Sequence, residues 1–93
     1  MTVNVRIPTI LRTYTGGAGE VSVAPVGATV SDVLTALDGD YPGITARVLD
    51  EQGALRRFVN LYVDEDDIRM LDGLSTGTRP GALVSIIPAV AGG

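Results

Sequence analysis

The chain has 93 residues with a net charge of -4, and 45% of it is hydrophobic. That length holds one small domain with a single core and leaves little volume for a deep catalytic pocket. The acidic balance argues against a nucleic-acid ligand, and the absence of Cys and His excludes disulfides, thiolate metal sites, cysteine nucleophiles and imidazole bases.

Val3, Val5 and Ile7 alternate with Thr2, Asn4 and Arg6, which predicts a half-buried strand ended by Pro8. No basic, apolar leader precedes it, and no apolar run approaches the ~20 residues that span a bilayer. The expected setting is therefore cytoplasmic, with no membrane partner. A loop runs to Gly16-Gly17-Ala18-Gly19, and Glu20 to Val23 reads as a second strand that closes a hairpin with the first. The glycine run has no Lys-Ser or Lys-Thr after it and is not a phosphate loop.

After the break at Pro25 to Ala28, Thr29 is placed as a helix N-cap, with Asp32 at the positive end of the helix dipole. Val30, Val33, Leu34, Leu37 and Tyr41 make one helical stripe, and the helix ends near Gly39, before Pro42-Gly43. Ile44, Val48 and Leu49 predict one further turn against the core. A polar loop at Asp50 to Gly53 leads to the strongest strand, 57–63, with Val59, Leu61 and Val63 on one face and Phe58, Asn60 and Tyr62 on the other. Asp64-Glu65-Asp66-Asp67 reads as a solvated turn, since it lacks the spaced ligands and central glycine of a calcium loop; no metal site is expected. Ile68 to Leu71 reads as a short strand or extended piece, and Arg79-Pro80-Gly81-Ala82 as a type II turn. Leu83 to Ile87 is the last strand, stopped by Pro88, and the tail is Ala89-Val90-Ala91-Gly92-Gly93.

This order predicts a two-layer α+β domain over 1–88, a mixed sheet of four to five strands covered by one main helix, with a flexible reactive tail at 89–93. The helical connection could set the first and last strands side by side, a pairing that periodicity does not establish.

Three segments resemble the ThiS/MoaD family of ubiquitin-like sulfur carriers, and within it the CysO-type carriers of cysteine biosynthesis: Ile7 to Arg12, Arg57 to Arg69, and Val84 to Gly93. The resemblance implies a β-grasp fold. It also implies that an E1-like enzyme of the MoeB/ThiF type uses ATP to adenylate the Gly93 carboxylate, and that a sulfur donor then displaces AMP to leave a thiocarboxylate. A sulfur-using synthase takes that sulfur: a cysteine synthase-like client first, with molybdopterin, thiazole or a thiolated secondary metabolite as other clients. On this reading the chain is a protein cosubstrate, not an enzyme, and binds no cofactor itself. One departure is the turn before the last strand, where Pro80-Gly81-Ala82 stands in place of the acidic turn of many relatives.

The residue types suit that role. A free carboxylate is a poor acyl donor, and the groups that stabilise its activated form can all lie in the partner. Gly92 and Gly93 fit a narrow channel; Ala89, Val90 and Ala91 line it without desolvating charge; Pro88 stiffens the exit. All seven cations are Arg. The lack of Lys reflects base composition, or it spares the chain an ε-amine that its own activated terminus could acylate. Phe58 and Tyr62 are either a docking patch for a partner or side chains covered by loops. A noncovalent interaction module using that face, or a permanent small subunit of a synthase, are the alternative readings.

Overall fold

The structure, a computed structural model, describes residues 2–88; the predicted tail, Ala89 to Gly93, lies outside them. Five strands, β1 (Val3–Arg6), β2 (Glu20–Val23), β3 (Val59–Val63), β4 (Asp66–Asp67) and β5 (Leu83–Pro88), form one mixed sheet in the order β2-β1-β5-β3-β4. One α-helix among the described residues, α1 (Val30–Asp40), covers one face. β1 and β5 pair in parallel, with Val5 opposite Val84. The other pairings are antiparallel.

Alternation along the strands sorts the two faces. Val3, Val5, Val21, Val23, Val59, Leu61, Val63, Val84 and Ile86 are buried, and Val30, Val33, Leu34 and Leu37 of α1 are buried with them in one core. Ile44 and Val48 close the core from the short 3₁₀ turn Thr45–Arg47 that follows the helix. Thr29 and Asp32 cap α1 reciprocally: the Thr29 hydroxyl accepts the Asp32 N–H at 3.2 Å, and the Asp32 carboxylate accepts the Thr29 N–H at 3.2 Å. The helix runs to Asp40, just past Gly39, and Tyr41 is its C-cap.

Pro80 and Gly81 turn the chain into β5. Gly81 has φ 82°, and the Ala82 N–H reaches the Arg79 carbonyl at 3.0 Å, which is type II geometry.

Three segments differ from the sequence expectation. The stretch after Pro8 is a 3₁₀ helix over Thr9–Thr15 rather than a loop. It buries Leu11, turns Ile10 outward, and ends where Gly16 takes φ 66°. Ile68–Met70 is another 3₁₀ turn, not a strand, because Asp67 caps it by accepting the Arg69 N–H at 2.9 Å. Finally, the acidic turn is more than a solvated loop. Asp64, at φ 56°, accepts the Leu83 N–H at 3.2 Å and pairs with Arg79 at 2.8 Å, locking the β3–β4 hairpin to the start of β5.

Candidate functional site

β5 lies in the middle of the sheet and its last residue, Pro88, still pairs with Val59 of β3. Five residues follow Pro88 in the sequence, and a stretch of that length spans at most roughly 17 Å. Pro88 itself is half-buried and belongs to the strand.

Two shallow grooves meet at Pro88. One, of about 480 Å³, is lined by Ile10, Phe58 and Val59 with Arg47, Arg56 and Arg57. The other, of about 350 Å³, is lined by Ile10, Ile86 and Ile87 with Arg6 and Arg12. Ile10, Phe58 and Ile87 are 69%, 55% and 44% exposed, a solvent-facing apolar cluster at the strand exit. Of the two aromatics singled out from sequence, Phe58 stands in the first groove just before β3. Tyr62 lies farther along β3, half-buried, with Ser85 on one side and Asp67 on the other. The structure therefore separates the two: Tyr62 is within the sheet and Phe58 lies just outside it.

Ile10, Ile87 and the surrounding arginines were missed from sequence. Ile87 follows Leu83 and Ser85 onto the face away from α1, opposite Asn60; a period-two count in the last strand carries that signal. Ile10 had none, because its exposure depends on the 3₁₀ helix.

The arginines are held by specific acceptors. Arg12 Nε donates to the Ile7 carbonyl at 3.1 Å, Arg47 Nε to the Tyr14 hydroxyl at 2.9 Å, and Arg56 Nε to the Ala46 carbonyl at 3.0 Å. The Tyr14 hydroxyl raises the pKa of Arg47, which stays cationic in any case. The Arg57 guanidinium lies 5.8 Å from the Phe58 ring centroid, over its face. Arg69 fills the open edge of β3, donating to the Val59 carbonyl at 2.9 Å and to the Asn60 side chain.

The turn that carries Arg47 is itself anchored. Asp38 near the end of α1 accepts the Thr45 hydroxyl at 2.9 Å, the Gly43 N–H at 3.1 Å and the Thr45 N–H at 3.3 Å. The Thr45 hydroxyl lowers the Asp38 pKa below its ordinary 3.8; burial opposes this, and the Thr45 and Gly43 amides add to it. Among the described residues there is no cluster of three or more His, Cys, Asp or Glu that could hold a metal ion, and no helix long and apolar enough to cross a membrane. The site offers hydrogen-bond donors beside apolar contact area, the elements of a protein-binding surface.

Residues 5–93 match the model of the ThiS family. The sequence is 47% identical over 95 aligned residues to the sulfur carrier protein CysO of Mycobacterium tuberculosis, with all of both chains covered. The crystal structure of Mycobacterium tuberculosis CysO matches with a TM-score of 0.88 at 46% identity, covering 95% of this chain and 99% of that one. A chain of the Amycolatopsis orientalis BexX/CysO complex matches with a TM-score of 0.87 at 44% identity, covering 98% of this chain and 99% of its own. The fold is the β-grasp of these carriers.

Proposed function

The chain belongs to the ThiS family, and from that premise we propose that it is a sulfur carrier whose Gly93 carboxylate is converted to a thiocarboxylate. The observation that carries this reading is the strand exit. β5 leads out at Pro88 beside an exposed apolar, arginine-lined surface, five residues before Gly93. A partner docked there has the terminus within reach.

The chemistry needs little from the carrier. In an E1-like partner, a Gly93 carboxylate oxygen attacks the α-phosphorus of ATP and pyrophosphate leaves. Hydrosulfide, or its equivalent on a donor, then adds to the acyl carbonyl; AMP departs, a proton is lost, and the thiocarboxylate remains. The carrier contributes the acyl group and a tail of small residues, Ala89, Val90, Ala91, Gly92 and Gly93, that enters a narrow channel with little side-chain bulk. It acts as a substrate of its partners rather than as a catalyst. Its client is a sulfur-using synthase, cysteine formation being the first choice because the chain resembles CysO over its full length at 47% identity. That the CysO of Amycolatopsis orientalis forms a complex with BexX supports a partner protein for this chain as well. A cytoplasmic setting follows from this chemistry, since ATP-dependent activation takes place there.

Intact mass spectrometry after incubation with an E1-like enzyme, ATP and sulfide tests the proposal. The expected result is a gain equal to exchange of one oxygen for sulfur, located in the C-terminal peptide. An unchanged mass, with an enzyme proven active on another carrier, overturns the carrier reading in favour of a noncovalent module.

A further inference from the structure

Five of the seven arginines, Arg6, Arg12, Arg47, Arg56 and Arg57, line the two grooves at Pro88 in a chain whose net charge is -4. Arg6 is loosely paired with Glu20 at 3.9 Å, which leaves Arg12, Arg47, Arg56 and Arg57 as an excess of positive charge at the strand exit. Asp50 also lines the larger groove, but its carboxylate is engaged by the N–H groups of Gln52 and Ala54 at 2.9 and 3.0 Å.

Arg12, Arg47 and Arg56 share one arrangement. Each is tethered through Nε to an acceptor within the domain, and their terminal Nη groups make no hydrogen bond among the described residues. A guanidinium held by Nε loses much of its rotamer freedom before any partner arrives, so less entropy is lost on binding. The two free Nη groups are donors suited to carboxylate oxygens. Between these arginines sit Ile10, Phe58 and Ile87, exposed and apolar.

We propose that this surface is built for a partner protein that presents carboxylates around an apolar patch, with the guanidiniums of Arg12, Arg47 and Arg56 pre-set to receive them. The apolar cluster supplies the desolvated centre of the contact, and the arginines supply orientation, association rate and register. The proposal deepens the carrier reading, on which it rests only for the choice of partner.

The test is calorimetric binding of the chain to an E1-like adenylating enzyme without ATP, at low and at physiological salt. The triple variant Arg12→Ala/Arg47→Ala/Arg56→Ala is expected to bind about 10- to 100-fold more weakly, with a reduced salt dependence. Tyr14→Phe keeps the charge of Arg47 and removes only its tether; it is expected to weaken binding by a few-fold. Arg79→Ala, at the far end of β5, is the control and leaves affinity unchanged. If the triple variant melts, Arg47→Glu and Arg56→Glu at exposed positions take its place, with a loss at least as large. No binding by the wild-type chain, or equal affinity of wild type and arginine variants, overturns the proposal. The two readings fail separately. A mass gain without arginine-dependent binding removes the surface and keeps the carrier. Arginine-dependent binding without a mass gain does the reverse.

Discussion

The two ends of β5 use their polar side chains in opposite ways. At the start, the Arg79 guanidinium donates to the Asp64 carboxylate at 2.8 Å, and Asp64 also accepts the Leu83 N–H, so opposite charges are paired in holding a hairpin to its neighbour. At the other end, Arg12, Arg47 and Arg56 are fixed at one nitrogen and left with donors to spare. The contrast gives a rule for telling structural from functional charge in a small domain. A charged group paired with an opposite charge inside the domain serves the fold, whereas one tethered to a neutral acceptor keeps its charge for something else.

Several substitutions break or sharpen that contrast. The largest effect belongs to the chain end: deletion of Gly93 abolishes the oxygen-for-sulfur mass gain and leaves the melting temperature unchanged, and so does adding residues after it. At the closed end of β5, Asp64→Ala costs about 1–3 kcal/mol, because the Leu83 N–H and Arg79 both lose their acceptor. Asp64→Asn, which keeps an oxygen for the amide and tolerates positive φ, costs less; urea unfolding of both variants reads the difference. Thr29→Ala removes the helix cap and lowers stability by about 1 kcal/mol in the same assay.

Asp38 gives a smaller, pH-dependent effect. Its folded pKa is depressed, so its contribution is present above the ordinary value of 3.8 and is lost as pH falls through the folded value. Asp38→Asn therefore lowers stability at neutral pH slightly and flattens the stability profile below about pH 4. Arg47→Ala is expected to be the smallest on stability, within about 0.5 kcal/mol, while it weakens partner binding. A large stability loss there would place Arg47 with the structural charges.

What could be read from sequence was what is encoded locally. The apolar periods of β1, β3 and α1 marked the core correctly, because each burial pattern is complete within one element. Thr29 and Asp32 stand three residues apart, so their reciprocal cap was half visible as an N-cap with a favourable charge. Gly81 in a Pro-Gly turn announced its positive φ. The candidate site was less legible. Phe58 and Pro88 stood out, but the groove between them depends on β3–β5 pairing, which puts Val59 opposite Pro88. Arg47 gains its tether from Tyr14, 33 residues earlier, and Asp64 meets Arg79 across 15. No local pattern carries such pairings. The 3₁₀ helix at Thr9–Thr15 contains neither a clear period nor a capping side chain, so its outward Ile10 was invisible.

The central position of β5 also has a mechanical consequence. A partner that draws the C-terminus into its active site pulls along the axis of the strand. β5 is hydrogen-bonded to β1 on one side and to β3 on the other, and those ladders run perpendicular or slanted to the pull. Traction therefore loads the ladders together, in shear, instead of opening them one at a time as peeling an edge strand would. The domain can act as a rigid handle, and tension on its last few residues is transmitted to the docking surface rather than dissipated in unravelling.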